Sequence, residues 1–143
     1  MIKEKYLSAY MQTAKIFAEL SSAKRKHVGA VVVKDDRIIS IGYNGMPAGW
    51  DNNCEDIKVD NDGQYELRTK PEVLHAETNA IAKLAKSSES GEGATMFITH
   101  APCLDCAKLV YQSGIKSVYY RNSYKNTDGI DFLNKCNVEV TMI

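Results

Sequence analysis

Apolar residues recur every three or four positions over residues 6–20, with charged and amide side chains between them. This spacing puts the apolar side chains on one face of a helix, so it predicts an amphipathic helix that lies on a core. Residues 28–33 form a nearly continuous, mostly β-branched run, and a second strand-like run spans residues 37–43. The polar residues between them predict a turn, so the two runs predict a hairpin whose first strand is buried on both faces.

The second half of the chain alternates between helical and extended patterns. Helical spacing is found at residues 74–86, 102–112 and 128–135. Extended patterns are found at residues 94–99, 116–120 and 138–142. Helices that separate strands behind an opening hairpin predict a single α/β domain over residues 1–143, with a mixed sheet of about five strands covered by helices on both faces.

The segment from residue 44 to about residue 70 interrupts this alternation, because it is polar and rich in Asn, Asp and Gly. These residues favour turns, and a segment of this length without secondary structure is usually either functional or mobile. We therefore predict a long loop between the opening hairpin and the helix that follows.

The charge balance bears on the choice of partner. Lysine and arginine together number 18, and so do aspartate and glutamate. No net field favours a nucleic acid or an anionic membrane, so we expect neither as a partner. No stretch approaches the roughly 18 apolar residues of a membrane span, and the N-terminal residues lack the apolar block of a signal peptide. We therefore expect a cytoplasmic protein.

Two short motifs carry the candidate chemistry. His75 and Glu77 are separated by one residue at the start of one predicted helix, and Cys103 and Cys106 follow Pro102 at the start of another. Residues two apart cannot share one flank of a helix, but both can reach a site in front of its N-terminal end. The positive end of the other helix favours the thiolate form of the two cysteines. His75, Cys103 and Cys106 are therefore candidate ligands of a zinc ion.

Glu77 bears on the kind of zinc site. Three protein ligands leave a tetrahedral zinc with one open position, as in catalytic sites, whereas four ligands close a structural site. Zinc lowers the pKa of a bound water from about 15.7 to roughly 7, and a nearby carboxylate can carry its proton. Glu77 thus predicts hydrolytic attack at an electron-poor carbon. The alternative is a structural zinc with a fourth ligand, beside which Glu77 would be an ordinary solvated helix residue.

The two motifs together resemble the signature of the zinc-dependent cytidine and deoxycytidylate deaminases, which is His-x-Glu followed by Pro-Cys-x-x-Cys. The resemblance extends over almost the whole chain and includes viral members of the deoxycytidylate branch. It implies a three-layer α/β/α cytidine deaminase-like fold with one catalytic Zn²⁺ per subunit. It also implies hydrolytic deamination of dCMP to dUMP and ammonia, a step that supplies the precursor of dTTP.

The same resemblance implies contacts to the nucleotide. Asn44 would contact the sugar, a role that suits a side-chain amide because it can both donate and accept hydrogen bonds. Tyr124 matches a nucleotide-binding tyrosine of the family, and Arg121 would neutralise the 5′-phosphate with paired donors. Ala76 and Tyr120 complete the predicted substrate site. Without the resemblance, Tyr120, Arg121 and Tyr124 would be ordinary surface residues.

Members of the deoxycytidylate branch are commonly hexamers that dCTP activates and dTTP inhibits. The resemblance therefore implies a homohexamer with an effector site near the end of the second strand, where Mg²⁺ would accompany the triphosphate. The residues it assigns to this effector site are Arg25, Gly42, Tyr43, Asn44 and Gly45. On its residues alone, the segment from Gly42 to Gly45 is a strand end that turns on glycine.

Two cysteines and two histidines lie outside the metal motif. Cys54 falls in a segment where some viral relatives hold a second, structural zinc, but Ala23 stands where those relatives have another cysteine. We therefore predict a free Cys54. A second metal at Cys54 and a disulfide to Cys136 are the open alternatives. His27 and His100 lack ligand-like spacing and are predicted to be structural. The alternative for His27, which follows Lys24, Arg25 and Lys26, is that it faces a phosphate.

Three other functions stay open. A free-nucleoside deaminase would use the same zinc chemistry without a phosphate contact. A nucleic-acid editing deaminase would need a basic or aromatic track, which the balanced charge disfavours. A zinc-stabilised interaction module would bind partners without turnover. The sequence also leaves open whether dCTP is accepted beside dCMP, because the two share base and sugar.

Overall fold

The computed structural model describes residues 2–143. Its helices are α1 (Glu4–Ala18), α2 (Ala76–Ala85), α3 (Leu104–Gln112) and α4 (Asp128–Lys135). Its strands are β1 (Gly29–Lys34), β2 (Arg37–Tyr43), β3 (Glu55–Val59), β4 (Tyr65–Thr69), β5 (Thr95–His100), β6 (Ser117–Asn122) and β7 (Glu139–Met142). This order follows the predicted alternation everywhere except in the segment after β2.

Five strands form the central sheet in the order β2-β1-β5-β6-β7. β1 pairs antiparallel with β2 and β5, whereas β6 runs parallel to both β5 and β7. The predicted mixed sheet is therefore confirmed, and β7 is an edge strand as its alternation indicates. β1 and β5 are buried over nearly their whole length, which explains their continuous apolar sequences.

Helices cover both faces of the sheet. On one face, α1 packs through Met11 and Ala14 against Val31, Val33 and Phe97. On the other face, α2, α3 and α4 pack against those side chains of β1, β5 and β6 that point away from α1. The three-layer α/β/α prediction is thereby confirmed. Within residues 2–143, no helix combines the length and the apolarity that crossing a bilayer would require.

α2 lies very close to β2 because Gly42 has no side chain. A Cβ atom at this position would collide with the carbonyl oxygen of Ala76 and the amide nitrogen of Ala80. Ser40, two residues earlier in β2, donates a hydrogen bond to the Ala80 carbonyl at 2.7 Å. The sheet thereby fixes the first turns of α2, where the candidate metal ligand and acid lie.

The prediction of a long loop over residues 44–70 is wrong, because this segment contains a second hairpin. β3 and β4 pair antiparallel and form a separate two-stranded sheet, which we call the hairpin arm (residues 55–69). Asp60 holds the turn, since its Oδ1 accepts hydrogen bonds from the amides of Asp62 and Gln64 at 2.9 and 2.8 Å. Gly63 completes the turn with a φ of +79°, which favours glycine.

One face of the hairpin arm is apolar yet exposed. Ile57, Val59 and Tyr65 have exposed fractions of 66%, 59% and 79%. Charged side chains alternate with them along both strands. Apolar periodicity is easiest to recognise where a core imposes it. The two short strands of this arm alternate apolar and charged residues without facing a core, so their sequence resembles that of a loop.

Candidate active site

The N-terminal ends of α2 and α3 meet at one site. His75 is the N-cap residue of α2 and Cys103 is that of α3, and both have extended backbone. Their carbonyl groups accept the first helical hydrogen bonds, from the amides of Asn79 at 3.0 Å and Ala107 at 2.9 Å. Neither N-cap side chain makes a capping hydrogen bond, so both can bind a metal in front of the helices. Pro102 therefore precedes α3 instead of lying in its first turn.

The side chains of His75, Cys103 and Cys106, which we call the metal centre, converge on one point. His75 Nδ1 lies 3.3 Å from Cys106 Sγ and 3.7 Å from Cys103 Sγ. All three ligand atoms lie within 4.8 Å of one another. A tetrahedral zinc with bonds of about 2.0–2.1 Å to nitrogen and about 2.3 Å to sulfur holds such atoms roughly 3.5–3.8 Å apart. The three side chains therefore fit a zinc ion.

The metal centre has three protein ligands. Within residues 2–143, no further histidine, cysteine or carboxylate oxygen joins the group. A tetrahedral ion held by three protein ligands keeps one position for water or substrate, as catalytic zinc sites do. The geometry thus matches an open centre and not a closed structural site.

The two thiols of the metal centre are coupled. A hydrogen bond with Cys106, followed by one with His75, lowers the pKa of Cys103 to about 4. The same hydrogen bond and burial raise the pKa of Cys106. The Thr78 hydroxyl, 3.7 Å from Cys106 Sγ, opposes that rise. Cys103 thus loses its proton more readily than Cys106, and a divalent cation would bind both sulfurs as thiolates.

Glu77 lies in the first turn of α2 and is almost completely buried, with an exposed fraction of 4%. Burial raises the pKa of its carboxyl group, while a backbone hydrogen bond and the nearby charge of His75 oppose this rise. A carboxyl group with a raised pKa can both accept and donate a proton near neutral pH. Because Glu77 is not one of the three converging ligands, its carboxylate is available for proton transfer.

A cavity of about 450 Å³ opens beside the metal centre. Its volume falls in the range of roughly 300–1,000 Å³ that small-molecule sites occupy. The loop before β1, the hairpin arm and the loop after β6 complete its wall, and they contribute four basic side chains: Arg25, Lys26, Arg68 and Lys125. A cavity with an acid and metal ligands on one wall and several cations on the others suits a small phosphorylated substrate.

Three of the five predicted substrate-binding residues line this cavity: Asn44, Ala76 and Tyr124. The side chain of Asn44 is partly engaged. Its Oδ1 accepts a hydrogen bond from the Val28 amide and its Nδ2 donates one to the Lys26 carbonyl, both at 2.9 Å. One N–H and one lone pair of this amide remain for a ligand.

Tyr124 lies between two lysines that the sequence analysis did not identify. Lys26 Nζ is 5.0 Å and Lys125 Nζ is 5.8 Å from the centre of its ring, distances that suit cation–π attraction. Burial raises the pKa of the Tyr124 phenol, so its hydroxyl stays neutral. Lys26 ends the basic run of Lys24, Arg25 and Lys26, but it and Lys125 come from different loops, so no spacing along the chain connects the two.

The other two predicted substrate-binding residues, Tyr120 and Arg121, do not line the cavity. Tyr119 stacks on Phe97 beneath α1, with ring centroids 5.0 Å apart. Side chains alternate along a strand, so Arg121 points to the same face as Tyr119. It lines a separate depression beside α1. Arg121 thus lies outside this cavity, and its contact with the substrate phosphate stays a prediction.

The predicted effector residues are divided between two places. Arg25 and Asn44 line the cavity. The other three join the end of β2 to the start of α2: Gly42, Tyr43 and Gly45. The Tyr43 carbonyl accepts a hydrogen bond from Asn79 Nδ2 at 2.8 Å. Gly45 exchanges backbone hydrogen bonds with Leu74 at 3.1 and 2.8 Å. These contacts position the metal ligand that begins α2.

The cysteines outside the metal centre are both unpaired, so no disulfide joins Cys54 to Cys136. Cys54 is fully buried, and its Sγ lies 3.6 Å from Ser22 Oγ in a cluster with Ala23 and Val73. Within residues 2–143, no second group of metal-ligating side chains forms around it. Cys54 is thus a free thiol in this structure, and the absence of a second metal there stays a prediction.

His100 lines the cavity, although its spacing predicts a structural role. Its Nδ1 lies 3.1 Å from Thr99 Oγ1. Burial, aided by the charge of Lys26, lowers the pKa of His100. The ring is therefore a neutral hydrogen-bonding group of the cavity wall, whereas His27 is exposed.

The fold and the metal centre agree with a known family. The family model described as "Cytidine and deoxycytidylate deaminase zinc-binding region" matches residues 4–122. This chain therefore belongs to the cytidine and deoxycytidylate deaminase family.

Several named relatives resemble the chain over most of its length. The deoxycytidylate deaminase of enterobacteria phage T4 is 36% identical over 169 residues, covering 93% of this chain and 87% of the relative. The human deoxycytidylate deaminase is 38% identical over 124 residues, covering 83% of this chain and 66% of the relative. The dCMP deaminase of the cyanophage S-TIM5, crystallised with dCMP and dUMP, superimposes with a TM-score of 0.89 at 49% identity, and each chain covers 100% of the other.

Proposed function

We propose that this protein is a zinc-dependent hydrolase that converts dCMP and water into dUMP and ammonia. The observation that carries the proposal is a buried acid, Glu77, beside an open metal centre at the wall of a cavity of suitable size. The deoxycytidylate deaminases among the relatives, and the cyanophage enzyme with bound dCMP and dUMP, support this substrate.

His75, Cys103 and Cys106 would hold the zinc ion. When bound, zinc supplies the Lewis acidity that lowers the pKa of water and provides a nucleophile near neutral pH. Two thiolates and a neutral imidazole balance the charge of Zn²⁺. The Thr78 hydroxyl beside Cys106 helps to hold that sulfur as a thiolate.

Glu77 moves the protons of the reaction. It takes one proton from the attacking water and delivers it to N3 of the cytosine ring, while a C–O bond forms at C4. It then transfers the remaining hydroxyl proton to the amine, so that the C4–N bond breaks and ammonia leaves. Its raised pKa suits both directions of transfer, and its burial keeps competing water from its oxygens.

The opposite wall of the cavity would bind the rest of the nucleotide. Arg25, Lys26 and Lys125 are the candidates for the 5′-phosphate, because they line the cavity and Arg121 does not. The free N–H and lone pair of Asn44 would face the sugar. Tyr124 would contact the nucleotide from its place between the lysines, and Ala76 beside the metal ligand would support the base.

We further propose that the protein is a cytoplasmic homohexamer that dCTP activates and dTTP inhibits, with Mg²⁺ beside the triphosphate. The support is the resemblance to the deoxycytidylate branch, together with the position of Asn44 at the β2–α2 junction. Initial rates with and without each triphosphate, and the mass in solution from light scattering, test these statements. Identical rates with and without both triphosphates would contradict the regulation, and a monomer would contradict the assembly.

A substrate panel tests the central proposal. Zinc-loaded protein is assayed for ammonia release from deoxycytidine, dCMP, dCTP and CMP. We expect the highest kcat/KM for dCMP, because the cavity offers basic groups to one small phosphate. An equal or higher kcat/KM for deoxycytidine would indicate a nucleoside deaminase, and a comparable value for dCTP would add a second substrate. No ammonia release from any of the four would indicate a zinc-stabilised interaction module.

A further inference from the structure

The side chain of Glu55 is a buried carboxylate outside the metal centre. Glu55 begins β3, at the base of the hairpin arm, and has an exposed fraction of 4%. It lines the same cavity as His75 and Glu77. The mechanism proposed above gives it no role.

The two oxygens of Glu55 have different surroundings. Oε2 accepts hydrogen bonds from the backbone amides of Lys24 at 2.8 Å and Arg25 at 3.0 Å. Within residues 2–143, no group donates a hydrogen bond to Oε1, although this atom is buried. A buried carboxylate oxygen without a donor is costly, so such an atom calls for an explanation. If Glu55 only held the backbone amides of Lys24 and Arg25 in place, Oε2 alone would be sufficient.

The position and charge of Oε1 narrow the choice of partner. Because Glu55 lines the cavity, its carboxyl group belongs to the wall beside which a bound ligand would lie. An ionised carboxylate only accepts hydrogen bonds, so the missing partner is a donor. Its negative charge repels a phosphate, which has Arg25, Lys26 and Lys125 available in the same cavity.

Under the proposed function, dCMP has two hydrogen-bond donors. One is the exocyclic amine at C4, which must lie at the metal centre and Glu77 because it is the leaving group. The other is the 3′-hydroxyl of the deoxyribose. We infer that Oε1 of Glu55 accepts a hydrogen bond from the 3′-hydroxyl of the substrate, and that Glu55 is a specificity-determining residue. This inference rests on the proposed function.

The contact would connect two parts of substrate recognition. Through Oε2, the same carboxylate fixes the backbone of Lys24 and Arg25. The Arg25 side chain donates one hydrogen bond to Thr69 Oγ1 and keeps its other N–H groups for the phosphate. Through Oε1, the carboxylate binds the sugar. A nucleotide without the 3′-hydroxyl would therefore leave a buried charge unpaired, which is a strong basis for discrimination.

The substitution Glu55→Gln tests the inference because it changes only the oxygen in question. The amide oxygen of glutamine can still accept hydrogen bonds from the backbone amides of Lys24 and Arg25, so the contacts made by Oε2 are kept. The amide nitrogen then takes the place of Oε1 and donates, so the charge-assisted bond from the hydroxyl is replaced by a weaker neutral bond that the hydroxyl accepts. Asp56→Asn is the matched control, since Asp56 is exposed, points to the other face of β3 and does not line the cavity.

The measurement compares kcat/KM for dCMP and for 2′,3′-dideoxycytidine monophosphate in the zinc-loaded proteins. In the unmodified protein and in Asp56→Asn, we expect loss of the hydroxyl to lower kcat/KM about 10- to 100-fold, the range for a hydrogen bond to a charged group. In Glu55→Gln we expect dCMP turnover to fall and the ratio between the two substrates to shrink to about two- to tenfold, the range for a hydrogen bond between neutral groups. The comparison of ratios isolates the contact between this residue and this hydroxyl.

The outcomes separate the inference from the proposed function. If the unmodified protein deaminates dCMP and Glu55→Gln keeps the full dependence on the hydroxyl, Oε1 holds only solvent and the inference is overturned. If the unmodified protein does not deaminate dCMP, the proposed function itself fails. Zinc content and thermal unfolding of Glu55→Gln are measured alongside. If Glu55→Gln does not fold, Glu55→Asp replaces it in the test, because the shorter side chain withdraws the carboxylate from the hydroxyl. We then expect the same loss of discrimination between the two substrates. Unchanged discrimination in Glu55→Asp would overturn the inference.

Discussion

The metal centre and the hairpin arm line one cavity but are held in place by different means. The metal centre is formed at the ends of two helices, and α2 is packed against β2 through Gly42. The hairpin arm is attached mainly at its base. The Lys70 amide donates to the Cys54 carbonyl at 2.8 Å, and Arg25 donates to Thr69 Oγ1 at 3.0 Å. Its outer part is exposed to solvent.

This difference indicates that the two regions have different roles, the metal centre in the chemical step and the hairpin arm in substrate selection. Chemistry requires atoms held to fractions of an ångström, and packed helix ends provide that precision. Substrate selection tolerates segments that are held by fewer bonds, and such segments often carry specificity. We therefore expect the effects of substitutions to decrease from the metal centre, through the cavity wall, to the tip of the arm.

The largest effect is expected at the acid beside the metal centre. Glu77→Gln should lower kcat for dCMP by at least 10²- to 10⁴-fold, the range for general acid–base catalysis, because the amide cannot carry protons. Bound zinc should be unchanged, since Glu77 is not a metal ligand. Steady-state rates and metal analysis measure both quantities. Glu72→Gln, an exposed change outside the cavity, is the control, and near-normal turnover of zinc-loaded Glu77→Gln would refute the mechanism.

The next largest effect is expected at the basic wall of the cavity. Arg25→Ala should lower kcat/KM for dCMP about 10- to 100-fold, because a charge-assisted contact to the phosphate is lost. The same change should have little effect on deoxycytidine, which has no phosphate. Arg121→Ala is the matched control and should leave both values nearly unchanged, since Arg121 lies beside α1. A larger effect of Arg121→Ala on dCMP would restore the sequence-based assignment.

A smaller effect, on stability, is expected where α2 meets the sheet. Gly42→Ala should destabilise the fold by about 1–3 kcal/mol, because the added methyl group collides with the α2 backbone. Urea unfolding measures the change. Gly45→Ala is the matched control, since a Cβ atom at Gly45 meets no atom of residues 2–143 within 4 Å. Equal stability of the two variants would show that α2 does not depend on this close approach.

The smallest effect is expected at the tip of the hairpin arm. Tyr65→Thr should change the free energy of unfolding by less than about 0.5 kcal/mol, because the side chain is 79% exposed. Activity towards dCMP should stay within about twofold. A loss comparable to that of Arg25→Ala would show that the outer arm also binds substrate, and the division between the two regions would no longer hold.

The sequence by itself determined the chemistry and the layering of the fold. His75, Glu77, Cys103 and Cys106 are read from two short motifs, because each motif lies at one helix end and local spacing fixes its geometry. The alternation of helices and strands is equally local, since a core imposes a periodicity on the residues that face it. The mixed sheet and its covering helices follow from that pattern.

Only the tertiary structure decided which other residues line the cavity. Arg121 and Tyr124 are three residues apart, yet the strand turns Arg121 towards α1 while Tyr124 reaches the cavity. Lys26, Glu55 and Lys125 come from separate segments that become neighbours on folding, so no local spacing connects them. The hairpin arm was not predicted because its apolar face is exposed, and no core fixes the apolar periodicity of its two strands. Side-chain direction at strand ends and contacts between distant loops depend on the whole fold, and these are the features that spacing along a chain does not encode.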